Sequence, residues 1–246
     1  MQIKKFIFFM LFLTSLAYGE DVYWYVAASM TEPAKIITDN FNGDKGRKFN
    51  IYVIAGGSGQ LLSKIYASKT GDIYMPADKS YLDNALKLGV IKRYKPFLSQ
   101  YPVIGLSKKA DKSIKDIKDL CGKKIKIAFG NPKTMALGQI FQDMRYTIPE
   151  ELYNCILLNK SVEAMDVQQI MNYIKLNVVD AGFIYKPMAD NNNIRYLEFP
   201  DKWNIPSKIY FCELIYTKNE QYTKEAIDYI FKNLAIFEKY GFNVIK

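Results

Sequence analysis

The chain has 246 residues, 49% hydrophobic and 15% aromatic, with 34 Lys and Arg against 25 Asp and Glu for a formal charge of +9. It contains no histidine, which excludes Ser-His-Asp and Cys-His catalysis and removes histidine as a metal ligand. The lysines are scattered through amphipathic segments and form no basic stripe interleaved with aromatics, so nucleic acid is not an expected partner, although the charge would draw small anions.

The first residues read as an export signal. Lys4 and Lys5 precede an apolar run over 6–16, and Ala17-Tyr18-Gly19 places small residues before a cut ahead of Glu20. The run is well short of the roughly 20 residues that a spanning helix needs. No cysteine follows the cut to carry a lipid anchor. A signal peptide over 1–19, cleaved after Gly19, is expected to deliver a monomer to the periplasm with no membrane span. Cys121, Cys155 and Cys212 have no metal-ligand spacing, and an oxidising compartment allows one disulfide and one thiol left over. Cys121 and Cys155 are the nearest pair in sequence, but spacing alone does not decide the pairing.

Strand-like and helix-like segments alternate from there on. Residues 22–26 (VYWYV) are β-branched and aromatic, and Ser29-Met30-Thr31-Glu32 with Pro33 has the form of a capping box opening a helix that stops at Gly43. A strand over 50–55 ends in Gly56-Gly57-Ser58-Gly59, and a helix over 60–67, a strand over 72–76 and a helix over 80–88 follow, closed by Gly89. The second half repeats the plan: a strand over 124–129, helices over about 136–144 and 165–175, strands over 179–185 and 208–216, and a closing helix over 220–237. This alternation predicts parallel sheets covered by helices, with ligands beyond the carboxyl ends of the strands.

Four strand-to-helix turns could aim backbone N–H groups at such a cleft: Ala28-Ser29-Met30, Gly57-Ser58-Gly59, Ala136-Leu137-Gly138 and Asp166-Val167-Gln168. The first turn of a helix has unpaired N–H donors at the positive end of its dipole, which suits an anion. Gly56-Gly57-Ser58-Gly59-Gln60 approaches a nucleophile elbow but lacks its last glycine, and no histidine is present to serve Ser58 as a base.

An ordered series of short motifs carries a resemblance. Ala27-Ala28-Ser29-Met30-Thr31, Ala55-Gly56-Gly57-Ser58-Gly59-Gln60-Leu61 and Gly71-Asp72-Ile73-Tyr74-Met75-Pro76-Ala77-Asp78 come first. Ile127-Ala128-Phe129-Gly130-Asn131-Pro132, Ala181-Gly182-Phe183-Ile184-Tyr185 and Phe237-Glu238-Lys239-Tyr240-Gly241-Phe242 follow in order. Together they resemble the periplasmic molybdate-binding proteins of ABC transporters over almost the whole exported chain. The resemblance implies a two-lobed α/β periplasmic-binding-protein fold of type II, with two crossover segments and a ligand cleft between the lobes. It implies hydroxyl and N–H donors from Ser29 and Ser58, backbone N–H donors from Leu137 and Val167, and a phenol donor from Tyr185. These five would hold the oxygens of molybdate or tungstate without coordinating the metal directly, and no cofactor or catalytic residue is implied. The chain departs from the pattern at Gly57, where many relatives carry serine, and at Leu137, where a smaller residue is expected.

The expected organisation is lobe one from 20–101 plus 213–246 and lobe two from 102–212, with crossings within 101–107 and 208–216. The expected role is capture of molybdate or tungstate and delivery to an inner-membrane ABC permease. Phosphate, sulfate or a phosphorylated organic acid is the alternative ligand. A secreted enzyme, or a surface antigen on the same fold, is the alternative class.

Overall fold

The computed structural model describes residues 21–122 and 124–245, so the expected signal peptide lies outside the described residues. The first lobe begins with β1 (Val22–Ala27), α1 (Thr31–Asn42), β2 (Ile51–Gly56), α2 (Ser58–Ser68), β3 (Ile73–Met75) and α3 (Lys79–Lys87). β1 lies between β2 and β3, in parallel register with both, and its VYWYVA sequence fits a strand covered on both faces. α1 buries Ala34, Ile37 and Phe41, one stripe at helical spacing, against that sheet. α3 is capped by the Asp78 side chain, which accepts from the Ser80 N–H at 2.8 Å, and is followed by Gly89 at φ +66°, a conformation that costs glycine nothing.

β4 (Ile91–Gln100) joins this sheet, and after the single residue Tyr101 the chain enters the second lobe as β5 (Pro102–Leu106). There it forms β6 (Ile127–Gly130), α4 (Ala136–Asp143), α5 (Glu150–Leu158), β7 (Lys160–Ala164), α6 (Val167–Lys175), β8 (Ala181–Tyr185), α7 (Lys186–Asn191) and β9 (Tyr196–Glu198). It returns as β10 (Ser207–Leu214) and ends with α8 (Glu220–Lys232), α9 (Leu234–Lys239) and β11 (Asn243–Val244). The two sheets run β11-β4-β10-β3-β1-β2 and β7-β6-β8-β5-β9. This is the two-lobed α/β binding-protein architecture, with one sheet per lobe.

Four sequence expectations need correction. The sheets are mixed rather than parallel. β4 and β10, which carry the chain out of and back into lobe one, pair antiparallel with each other, and β10 also pairs antiparallel with β3. β10 belongs to the first sheet from Ser207 onward, so the return crossing runs through 199–206, ahead of the boundary expected at 213. The closing helix breaks at Asn233, whose side-chain amide donates to the Tyr229 carbonyl at 2.8 Å and competes with the helical ladder. Ser29 is not a capping residue: it sits in a 3-10 turn over Ala28–Met30, and α1 begins after Met30 without any side-chain cap.

Each lobe has its own apolar core. Trp24, Ile37, Phe41 and Phe237 pack on one face of the first sheet and Leu62, Ile65 and Tyr74 on the other. Phe129, Phe141, Phe183 and Ile174 fill the second lobe. The cores touch across the cleft, because Ala28 of lobe one packs into the second core and Ala136 of lobe two into the first. Cys121 and Cys155 form a disulfide with Cα atoms 5.4 Å apart, joining the turn over Ile117–Cys121 to α5. Cys212 is a free, buried thiol on β10.

Candidate functional site

The carboxyl ends of β1, β2 and β8 and the first turns of α2, α4 and α6 meet between the lobes, around one small cavity. Ser29, Ser58, Leu137, Val167 and Tyr185, placed far apart in the sequence, all line it, together with Ala27, Ala28, Gly56, Gly57, Ala77, Met135 and Ala136. About 10 Å³ is open to the centre of a water-sized sphere. That is room for one compact ion and not for an extended organic molecule.

The donors on the lobe-one side are side chains, each anchored by a hydrogen bond that its oxygen accepts. Ser58 Oγ accepts the Ala77 N–H at 3.1 Å, and Ser29 Oγ accepts from the Gln100 side-chain amide at 3.0 Å. Each hydroxyl therefore has its proton left to give, and both residues are buried at the cavity wall. Tyr74 fixes the Ser58 backbone by donating its phenol to the Ser58 carbonyl at 2.8 Å. Ser207 ties down the Ala77 carbonyl in the same way. None of Gln100, Ala77, Tyr74 and Ser207 was legible as a site residue, because each acts on the cavity through another group.

The lobe-two donors are mostly main chain. Ala136 and Leu137 open α4 and Val167 opens α6, positions whose N–H groups have no partner within their own helix. Nearby donors are engaged, since the Gly138 N–H turns back to the Met135 carbonyl and Asp166 accepts the Gln169 N–H at 3.0 Å. Tyr185, 2% exposed, ends β8 with a hydroxyl that makes no hydrogen bond to any described residue. Burial pushes its pKa up strongly, so it stays protonated and can donate. The Ser207 side chain beside it pulls the other way. A buried hydroxyl left without a partner costs about 1–3 kcal/mol, so its retention here points to a ligand.

Among the described residues, no Lys, Arg, Asp or Glu lines the cavity. The neighbouring carboxylate is Asp78, next in sequence to Ala77. Burial raises its pKa above the ordinary range, against the lowering hydrogen bonds from Ser80. Neutral, fixed dipoles suit a desolvated anion, since they give up little hydration of their own when it binds. Among the described residues no cluster of His, Cys, Asp and Glu could hold a metal ion. Ser58 has a backbone N–H and no base at its hydroxyl, an arrangement that anchors a donor and does not activate a nucleophile.

The model of the bacterial extracellular solute-binding protein family matches residues 22–243, and the chain belongs to that family, whose members bind solutes and do not catalyse reactions. A binding protein of Haemophilus influenzae is 25% identical over 221 residues, covering 88% of this chain and 86% of its own. The ABC transporter substrate-binding lipoprotein YvgL of Bacillus subtilis is 26% identical over 222 residues, with coverage of 88% and 84%. Among solved structures, the sulfate-binding protein SubI of Mycobacterium tuberculosis superposes with a TM-score of 0.79 at 11% identity, covering 93% of this chain and 88% of its own. The periplasmic molybdate-binding protein of Azotobacter vinelandii gives 0.76 at 14% identity, with coverage of 92% and 100%. PEB3 of Campylobacter jejuni, which has also been solved with L-phospholactate bound, gives 0.71 at 19%, with coverage of 91% and 99%. At these identities the likenesses establish the two-lobed fold.

Proposed function

We propose that this protein captures a small tetrahedral oxyanion, molybdate or tungstate, outside the cytoplasmic membrane and delivers it to the permease of an ABC transporter. The observation that carries this reading is the convergence of neutral donors on one ion-sized cavity, with the Tyr185 hydroxyl buried and unpartnered among them. Ser29 and Ser58 would hold two sides of the ion, the N–H groups of Leu137 and Val167 the others, and Tyr185 would close the cage from lobe two. The transporter role is supported by the family and by the description of the Bacillus relative. The choice of ligand is supported by the cavity's size and by the resemblance of the motifs around it.

A second reading rests on a specific observation. A cavity of about 340 Å³ adjoins the cage, shares Ala28 and Ser29 with it, and is lined by Glu32, Gln168, Lys175 and Asn191. A phosphorylated organic acid could seat its phosphoryl group in the cage and its carbon skeleton there. Thermal melting with molybdate, tungstate, sulfate, phosphate and phospholactate separates the two, because a ligand raises the melting temperature in proportion to its binding to the folded state. The largest rise with molybdate and tungstate supports the first reading. The largest rise with phospholactate establishes the second.

A further inference from the structure

The two lobes meet through backbone at the N-terminus of α2. The Thr134 carbonyl of lobe two accepts the Gly59 N–H at 2.9 Å and the Gln60 N–H at 3.4 Å. Tyr81 of lobe one donates its phenol to the Pro132 carbonyl at 2.9 Å. These bonds take the second and third donors of α2 and leave Ser58 as the one first-turn amide of that helix free to face the cavity. The fit admits no side chain. A Cβ on Gly57 would stand 2.5 Å from both the Thr134 and Met165 carbonyl oxygens, and one on Gly59 would stand 2.6 Å from the Lys133 carbonyl oxygen and the Tyr81 ring.

Thr134 lies just before α4 and Met165 just before α6, the two helices whose first turns carry the Leu137 and Val167 donors. The loops that rest on Gly57 are therefore the loops that set where lobe two's donors stand relative to Ser58. Gly57 itself has φ −64° and ψ 139°, ordinary extended backbone for any residue, so its conformation does not call for glycine. Its lack of a side chain matters only to the opposite lobe.

We propose that Gly57 and Gly59 are the specificity-determining gauge of the cage: their missing side chains let the lobes close to backbone contact, and that contact fixes the distance between the donors of the two halves. A methyl group at Gly57 would hold the first turns of α4 and α6 away from Ser58 and enlarge the cage. The serine that the family pattern carries at this position would do the same here. This inference rests on reading the cavity as an anion cage, and its test has an arm that does not need the anion.

The test compares wild type, Gly57→Ala and Tyr81→Phe by amide exchange resolved by NMR, with and without molybdate, and by calorimetric titration with molybdate. In wild type the Gly59 and Gln60 amides should be protected. In Gly57→Ala they should exchange freely while the Leu61 amide, which bonds to the Gly57 carbonyl within lobe one, stays protected. The unliganded melting temperature should fall only slightly, because the lobes can part at this contact while each core stays folded. Molybdate affinity should fall about tenfold to a hundredfold, the range for an extra carbon forced into a packed contact. Tyr81→Phe adds no atoms and should lose only about two- to tenfold, the worth of one hydrogen bond. Wild-type amides unprotected in both states, or a Gly57→Ala protein with wild-type protection and affinity, would overturn the proposal. If wild type binds no molybdate, the functional reading fails, and the exchange data alone decide the gauge.

Discussion

The two halves of the cage are built from different materials. Lobe one presents hydroxyl groups, each held by a hydrogen bond that its oxygen accepts: Ser58 by the Ala77 N–H and Ser29 by the Gln100 amide. Lobe two presents the backbone at the starts of α4 and α6 and one phenol with no partner. The lobe-one hydroxyls are anchored by other protein groups before any ligand arrives, and the Tyr185 hydroxyl is not. It follows that the same kind of deletion should have opposite effects on stability in the two lobes while weakening binding in both.

The largest effects should come from the hydroxyl groups. Ser58→Ala, Ser29→Ala and Tyr185→Phe each remove one donor to an anion, worth about 1.5–3 kcal/mol or roughly a 10- to 150-fold loss of affinity by calorimetry. Without ligand they should separate. Ser58→Ala strips the Ala77 N–H of its acceptor, and Ser29→Ala strips the Gln100 amide, whose Oε1 already lacks a partner, so both should melt lower. Tyr185→Phe removes an unpaired buried hydroxyl and should melt higher, by roughly 2–4 °C for each kcal/mol gained. If all three shift the unliganded melting temperature in the same direction, the contrast between the halves is wrong.

The next largest effect is on folding alone. Leu137 and Val167 are buried, and their proposed donors are main-chain groups that survive truncation. Leu137→Ala should cost about 2–5 kcal/mol of stability through the cavity it leaves, yet change affinity by no more than a few-fold. Reducing Cys121–Cys155, which closes a span of 34 residues away from the cleft, should cost about 3–4 kcal/mol on the loop-entropy model and leave affinity unchanged. Melting with and without reductant, each with an anion titration, checks both.

What the sequence revealed of this site follows the same division. Ser29, Ser58 and Tyr185 carry their donors on side chains, so residue identity reports them. Leu137 and Val167 could be placed only from the turns they occupy and from the resemblance, since any residue supplies the same N–H. Gln100, Ala77 and Ser207 were invisible, because a residue that orients another's hydroxyl leaves no local pattern. In the fold, the strand–helix alternation of lobe one was legible from β-branched runs and glycine stops. β4 was not anticipated, and β10 misled because antiparallel crossing strands have the same composition as parallel ones. The Ser29 motif misled because its hydroxyl is engaged by Gln100 from a distant strand, a tertiary contact that local spacing cannot express.

The smallest effect lies far from the cleft. The Lys115 and Asp116 N–H groups hold Asp119 below the ordinary carboxylate pKa. A carboxylate depressed in the folded state adds stability above its unfolded pKa, and that contribution is lost as pH falls through the folded value. Asp119→Asn should therefore lower the melting temperature slightly at neutral pH, and the difference from wild type should vanish on acidification below the usual carboxylate range. A difference that persists there assigns the effect to packing instead of charge.

The central claim is that neutral donors from both lobes cage one compact oxyanion, and calorimetric titration of the exported protein tests it most directly. Molybdate, tungstate, sulfate, phosphate and phospholactate should be titrated in turn at fixed pH and ionic strength. The account predicts one site per chain, tightest for molybdate and tungstate, with sulfate and phosphate much weaker because a cage of fixed donor spacing cannot tighten around a smaller ion. Binding of none of these anions, or tightest binding of phospholactate, would contradict it.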